Sequence, residues 1–200
     1  MLRDASISFP MLGDWSVDPP YSFTLFGLDI YFYGVIIAMG FILAALYCAK
    51  RAPEFGLTSD NLYELVIWLI PICIIGARLY YVLFKLDYFV ANPDKIFALR
   101  DGGLAIYGGI IGALIGGITV AKIQKIDIMP ILDITMIGFL IGQGIGRWGN
   151  FMNQEAYGAP TDLPWGMVSE NTHMQAVHPC FLYESLWCLL GFVLLQILSK

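Results

Sequence analysis

Charged residues are scarce in this sequence. Asp, Glu, Lys and Arg make up only 14% of its 200 residues, whereas 58% are hydrophobic and the mean hydropathy is +0.70. About a quarter of the residues of a soluble domain are charged. The composition therefore excludes an ordinary soluble domain and favours an integral membrane protein. The sequence also lacks a polybasic segment, and we predict no nucleic-acid partner.

Cysteine and histidine are few as well, with four and two copies. The cysteines lie mostly in apolar runs and show neither a CxxC pair nor the Cys/His spacing of a metal site. Such cysteines usually behave as small buried hydrophobic residues, so we predict no metal site. The cysteines are Cys48, Cys73, Cys180 and Cys188. The first 28 residues also lack the basic start and compact apolar core of a secretory signal peptide.

Five apolar runs approach the 20 or so residues that a membrane-spanning helix needs. They cover residues 30–49, 62–84, 104–121, 129–147 and 181–198. The runs show no barrel-like alternation, and helices satisfy their own backbone hydrogen bonds in lipid. We therefore predict an all-α integral membrane protein with five transmembrane helices.

The distribution of basic residues gives a weak indication of orientation. The two sides carry equal numbers, but Lys50 and Arg51, and also Lys122 and Lys125, directly follow spans in short loops. Basic residues in short loops favour the cytoplasmic side, so we predict that the N-terminus lies outside. The predicted organisation is one membrane domain (1–200) with an extracytoplasmic N-terminal segment (1–29) and an ordered extracytoplasmic loop between spans four and five (148–180).

Two features inside the spans have both structural and functional interpretations. Glycine recurs every fourth residue in spans three and four, which suits close helix packing and would also leave room for a lipid chain. Arg78 lies inside span two, where it is either a structural residue or part of a functional site. The two stripes are Gly108, Gly112 and Gly116, and Gly138, Gly142 and Gly146.

The segment GRWGNFMNQEAYG, residues 146–158, places several polar residues at the end of span four. If the helix continues, Arg147, Asn150, Gln154 and Glu155 fall near one face. Guanidinium binds phosphate through paired, charge-assisted hydrogen bonds, so an anionic headgroup is one interpretation. Glu155 would then balance Arg147 or assist proton transfer. A polar cap without a ligand is the other interpretation.

A second polar group, HPCFLYE at residues 178–184, begins span five. Pro179 suits the first turn of a helix, which places His178 at its entrance. A single interfacial histidine is often structural, but this one lies on the same predicted side as the first cluster. Tyr33 and Tyr107 lie near the same predicted side of spans one and three.

The segment GRWGNFMNQEAYG resembles the signature G-R-x-G-N-F-x-N-x-E-x-x-G of bacterial prolipoprotein diacylglyceryl transferases. Other similar pieces follow the family order: YGVIIAMG, GARLYYVLF, GGLAIYGGIIGA and HPCFLYESLW. The resemblance extends from about residue 20 to the end of the sequence.

This resemblance implies an activity. Members of the family move the diacylglyceryl group of phosphatidylglycerol to the lipobox cysteine of a prolipoprotein. A thioether forms and glycerol phosphate leaves, at the outer face of the bacterial cytoplasmic membrane. The resemblance implies a multi-pass protein with its N-terminus outside, partners limited to membrane lipid and lipobox peptides, and no cofactor.

The resemblance also implies residue roles. Arg147 would bind the phosphate and stabilise the departing glycerol phosphate. The resemblance further places Asn150, Asn153, Glu155 and Gly158 at the headgroup site and makes Tyr33 and Tyr107 candidates for catalysis beside Arg147. From their positions and residue types we add Arg78, Tyr183 and Glu184 to the expected headgroup site, and His178 and Glu155 to the expected catalytic residues. Tyr107 is histidine in many members, and a phenol is a poor base near neutral pH. The base that removes the thiol proton therefore stays open between His178 and Glu155.

The family usually has seven spans, and five are predicted here. The sequence thus leads us to expect that the last two spans, with a second arginine and a glutamate, are missing from this chain. Two alternatives follow: a non-catalytic phospholipid-binding protein, and a small transporter, which the glycine stripes and intramembrane Arg78 and Asp133 would suit.

Overall fold

The computed structural model describes residues 6–13, 15–99 and 102–199. The predicted N-terminal segment 1–29 therefore lies only partly within the described residues. Over these ranges the protein is mostly helical, and five of its helices are long and apolar enough to cross a membrane. They are α1 (Phe32–Arg51), α2 (Ser59–Phe84), α4 (Ile106–Gln124), α5 (Ile128–Asn153) and α6 (Cys180–Leu198). The prediction of a mostly helical membrane protein is confirmed.

The chain forms two compact units, where the sequence suggested one membrane domain. The first unit comprises the residues up to Tyr47 together with those from Met136 onward, and the second comprises Cys48–Thr135.

In the second unit, α2 and α4 pack through the predicted glycine stripe. A Cβ added to Gly76 would lie 2.5 Å from the carbonyl oxygen of Gly108, and one on Gly112 would lie 2.9 Å from that of Ile72. Contacts this close require that no side chain be present. The packing interpretation of the stripe on α4 is therefore confirmed.

The start of α2 is fixed by a capping box. The Thr58 hydroxyl accepts from the Asn61 backbone N–H, and the Asn61 side chain accepts from the Thr58 backbone N–H, which satisfies two otherwise unpaired donors. After α2 the chain forms the short helix α3 (Leu86–Ala91) and a 3-10 turn (Pro93–Phe97).

Two short β-hairpins precede the first long helix. Strand β1 (Ile7–Phe9) pairs with β2 (Trp15–Val17), and β3 (Ser22–Leu25) pairs with β4 (Leu28–Tyr31), both antiparallel. Phe26 and Gly27, between β3 and β4, both have positive φ (51° and 76°), the twist that a two-residue hairpin turn requires. Strands of three or four residues are too short to show a clear alternation of apolar and polar residues in the sequence.

The loop after α5 is ordered and anchored to β1. Ser8 and Val168 exchange backbone hydrogen bonds of 2.8 and 2.9 Å, and Met167 and Val177 exchange two of 2.9 Å. A small apolar core lies beneath these pairings, made of Ile7, Phe9, Phe151, Met167, Val177 and Phe181. Hence the segment after α5 is held by the first unit's own core.

Candidate functional site

The polar segment at residues 146–158 lies at the end of α5. The helix runs to Asn153, beyond residue 147, where the sequence predicted the end of span four. The Gln154 N–H donates to the Phe151 carbonyl and the Glu155 N–H to the Asn150 carbonyl, each at 3.0 Å. Gln154 has a φ of +52°. This is a Schellman ending, in which the left-handed residue reverses the chain.

The reversal brings Glu155 back over the last turn of α5. Its Oε1 accepts from Asn150 Nδ2 at 3.1 Å and from Asn153 Nδ2 at 3.2 Å. Glu155 therefore orients two amides of the segment, and it does so from outside the helix rather than from a shared helical face.

Arg147 forms an ion pair with Glu184 on α6. Its Nη2 lies 2.6 Å from Glu184 Oε2, and the two side chains are 28% and 44% exposed. The sequence suggested that Glu155 balances Arg147, but the carboxylate that pairs with it belongs to Glu184. A half-exposed guanidinium with one carboxylate partner can still receive a phosphate oxygen.

A chain of hydrogen bonds connects the start of α6 to the loop before it. Trp165 Nε1 donates to the Tyr183 hydroxyl oxygen at 2.7 Å, and that oxygen lies 3.1 Å from His178 Nδ1. Because an indole N–H can only donate, the Tyr183 oxygen accepts from Trp165. The donor in the contact between Tyr183 and His178 depends on the tautomer of the imidazole. Trp165 was not among the predicted site residues.

Two glycines of the segment have close neighbours. A Cβ on Gly158 would lie 2.9 Å from His178 Cβ, and the Gly158 N–H donates to the His178 carbonyl at 2.9 Å. A Cβ on Gly149 would lie 2.9 Å from the Tyr33 ring. Nine of the predicted site residues belong to the first unit, where the contacts above join them in small groups: Tyr33, Arg147, Asn150, Asn153, Glu155, Gly158, His178, Tyr183 and Glu184.

The other two predicted site residues belong to the second unit. Tyr107 lies in the first turn of α4, 66% exposed, with its ring centroid 6.2 Å from that of Tyr80. Arg78 is buried, and its N–H groups all donate to backbone carbonyls of the segment after α3. Each N–H of the Arg78 guanidinium thus has a backbone carbonyl as its partner, and a role of this residue in headgroup binding stays a prediction.

Titratable side chains that could hold a metal do not cluster. Within the described ranges, no group of three or more His, Cys, Asp or Glu residues is close enough to bind an ion.

Comparison with known proteins identifies close relatives. Residues 20–200 match the family model described as prolipoprotein diacylglyceryl transferase. Proteins named phosphatidylglycerol–prolipoprotein diacylglyceryl transferase are 44% identical in Finegoldia magna and 43% in Clostridioides difficile, each over 179 residues that cover 90% of this chain and 71% of the relative. The Lysinibacillus sphaericus protein of the same name is 41% identical over 192 residues, covering 90% of this chain and 70% of its own length.

Proposed function

Since the chain belongs to the prolipoprotein diacylglyceryl transferase family, we propose that it moves the diacylglyceryl group of phosphatidylglycerol to the lipobox cysteine of a prolipoprotein. The thiolate sulfur attacks the glycerol carbon that bears the phosphate. A carbon–sulfur bond forms, the carbon–oxygen bond to phosphate breaks, and glycerol phosphate leaves with one additional negative charge. Attack needs the thiolate, because a thiol is a weak nucleophile.

The observation that carries this proposal is the ion pair of Arg147 with Glu184, in a segment whose amides are held by a second carboxylate, that of Glu155. A fixed guanidinium can bind the phosphate in the ground state and stabilise the extra charge on the leaving group in the transition state. Asn150 donates to Glu155 through Nδ2, which leaves its amide oxygen to accept a glycerol hydroxyl.

The hydrogen-bond chain at α6 favours His178 over Glu155 as the proton acceptor. Glu155 Oε1 already accepts two amide N–H groups within its own segment. His178 Nδ1 faces the Tyr183 hydroxyl at 3.1 Å. A thiol proton passed to the Tyr183 oxygen would be matched by transfer of the tyrosine proton to His178.

The proposed location is the bacterial cytoplasmic membrane, with the N-terminus and the residue 154–179 loop on the outer face. Support comes from Lys50 and Arg51 in the last turn of α1 and from Lys122 in the last turn of α4, since basic residues mark cytoplasmic helix ends. These positions lie at the opposite ends of their helices from Tyr33 and Tyr107.

The test is transfer by the purified chain in phosphatidylglycerol vesicles with a labelled lipobox peptide. We expect a thioether-linked diacylglyceryl peptide and release of glycerol phosphate from the wild type, and loss of both products in Arg147→Ala. A peptide in which serine replaces the cysteine is the control. Binding of phosphatidylglycerol without any thioether product would contradict the proposal.

A further inference from the structure

The chain reversal after α5 contains two residues in an unfavourable backbone conformation. Gln154 and Ala156 have φ angles of +52° and +54°, in the left-handed region that a residue with a Cβ rarely adopts. Glu155 lies between them, and its carboxylate accepts from the amides of Asn150 and Asn153. Strained backbone persists where surrounding contacts hold it, so contacts from outside α5 are expected at this reversal.

Asn171, in the loop between α5 and α6, makes that contact. Its Nδ2 donates to the carbonyl of Gln154 at 3.0 Å and to that of Asn153 at 3.4 Å. The last carbonyls of a helix have no partner within the helix, so this one amide satisfies two of them. The Tyr157 hydroxyl in turn donates to the Asn171 carbonyl at 2.5 Å. Asn171 is therefore bonded to residues on both sides of Glu155.

The turn that carries Asn171 is fixed by its own hydrogen bonds. It is the 3-10 turn Glu170–Thr172, and the Thr172 hydroxyl accepts from the Ser169 backbone N–H at 3.0 Å. Thr172 and Ser169 are both buried. Val168, just before the turn, is paired with β1. The Asn171 side chain thus projects from a turn tied to the small apolar core of the first unit.

We propose that Asn171 is a positioning residue for the headgroup site of phosphatidylglycerol. By holding the carbonyls that precede Glu155, it keeps that carboxylate over the last turn of α5, where the carboxylate orients the amides of Asn150 and Asn153. Functional groups need such support, because their own geometry is set by the hydrogen bonds behind them. This role rests on the proposed function, in which the oriented amides bind the glycerol headgroup.

Asn171→Leu is the principal test, because leucine is similar in size but has no N–H to donate. We expect the KM for phosphatidylglycerol to rise roughly fivefold, the effect of losing one net hydrogen bond. The KM for the lipobox peptide should not change. The matched control is Glu170→Gln, which alters an exposed residue of the same turn and should leave both values as in the wild type.

A double-mutant cycle with Glu155→Ala separates positioning from a general loss of stability. Its readout is the affinity of the purified chain for a short-chain phosphatidylglycerol, which requires no turnover. Once Glu155 is removed, Asn171→Leu has no carboxylate left to displace, so we expect it to cause no further loss. A loose loop would instead weaken binding in both backgrounds, and equal losses would overturn the proposal.

Hydrogen–deuterium exchange of residues 153–158 reports the reversal directly. Exchange should be faster in Asn171→Leu, and also in Tyr157→Phe, a milder variant that removes only the hydroxyl bonded to the Asn171 carbonyl. Unchanged exchange and unchanged phosphatidylglycerol affinity in both variants would overturn the role of Asn171. A wild type that binds phosphatidylglycerol but forms no thioether would contradict the proposed transfer activity, while faster exchange and weaker binding in these variants would still support the positioning role.

Discussion

Two arginines of the membrane helices, Arg147 and Arg78, meet opposite environments. Arg147 is partly exposed and pairs with a single carboxylate, that of Glu184. Arg78 is buried and donates all its N–H groups to backbone carbonyls. A carboxylate partner can be exchanged for a phosphate with little change in the backbone, whereas the carbonyls belong to the fold itself. The environment of Arg147 therefore suits the exchange of one anionic partner for another, and the environment of Arg78 suits a structural role.

The largest effect is expected at Arg147, where a substitution should slow the transfer reaction without destabilising the fold. Arg147→Lys keeps the charge but removes the planar pair of donors, so we expect the transfer rate to fall at least about 100-fold, the scale of losing one oriented donor to a developing charge. The thermal unfolding midpoint should change little. Rates are measured with labelled phosphatidylglycerol and peptide, and a near-normal rate would remove Arg147 from the mechanism.

Gly103 provides the corresponding test of the Arg78 environment, where the effect should appear in stability. A Cβ at Gly103 would lie 2.6 Å from Arg78 Nη1 and 2.6 Å from the Tyr81 ring, and φ is +78°. Gly103→Ala should destabilise the protein by about 2–3 kcal/mol, the sum of backbone strain and displaced packing.

Gly102→Ala is the matched control for that measurement. Gly102 has a similar φ of +81°, but no atom lies within 4 Å of its added Cβ. It should therefore cost only the backbone strain of about 1–2 kcal/mol. Thermal unfolding in detergent compares the two variants, and equal losses would show that the contact with Arg78 contributes nothing.

The helices could be predicted from the sequence because the length of an apolar run is a local property. Other features could not. Gln154 is an unusual residue for a left-handed helix ending, where glycine is common, so the extension of α5 to Asn153 had no local signal. Strands β1–β4 are too short for an alternating pattern.

Candidate site residues could be named from the sequence, but their hydrogen-bond and ion-pair partners could not. The signature identified Arg147 and Glu155, yet their electrostatic partners depend on how α5 and α6 pack. Glu184 is distant in sequence from Arg147, and no composition rule joins them. The partners of Arg78 are backbone carbonyls, which every residue has, so no residue type could indicate them.

A smaller effect is expected when the exchangeable partner of Arg147 is removed. In Glu184→Gln the Arg147 guanidinium no longer has to break an ion pair with a carboxylate before it can bind a phosphate. Because a partly exposed ion pair contributes up to about 1 kcal/mol, glycerol phosphate should bind roughly fivefold more tightly. Isothermal titration measures the change, and Asp87→Asn, which removes an acid from α3 in the other unit, is the control. Weaker binding would mean that Glu184 itself supports the ligand.

The smallest effect concerns the Trp165–Tyr183–His178 chain and tests whether the region around Arg147 is organised for reaction as well as binding. Trp165→Phe keeps the ring bulk but removes the N–H that donates to Tyr183 at 2.7 Å. A single neutral hydrogen bond contributes about 1 kcal/mol, so the transfer rate should fall by roughly threefold to tenfold, with phosphatidylglycerol binding unchanged. The pH–rate profile is the decisive readout: if Tyr183 passes a proton to His178, loss of the indole donor changes the acidity of that hydroxyl and shifts the profile.

Trp187→Phe, which replaces an exposed tryptophan on α6, is the matched control and should leave both the rate and the pH–rate profile unchanged. A slower Trp165→Phe enzyme with an unshifted profile would reduce Trp165 to packing and leave Arg147 as the centre of a binding site whose proton acceptor lies elsewhere.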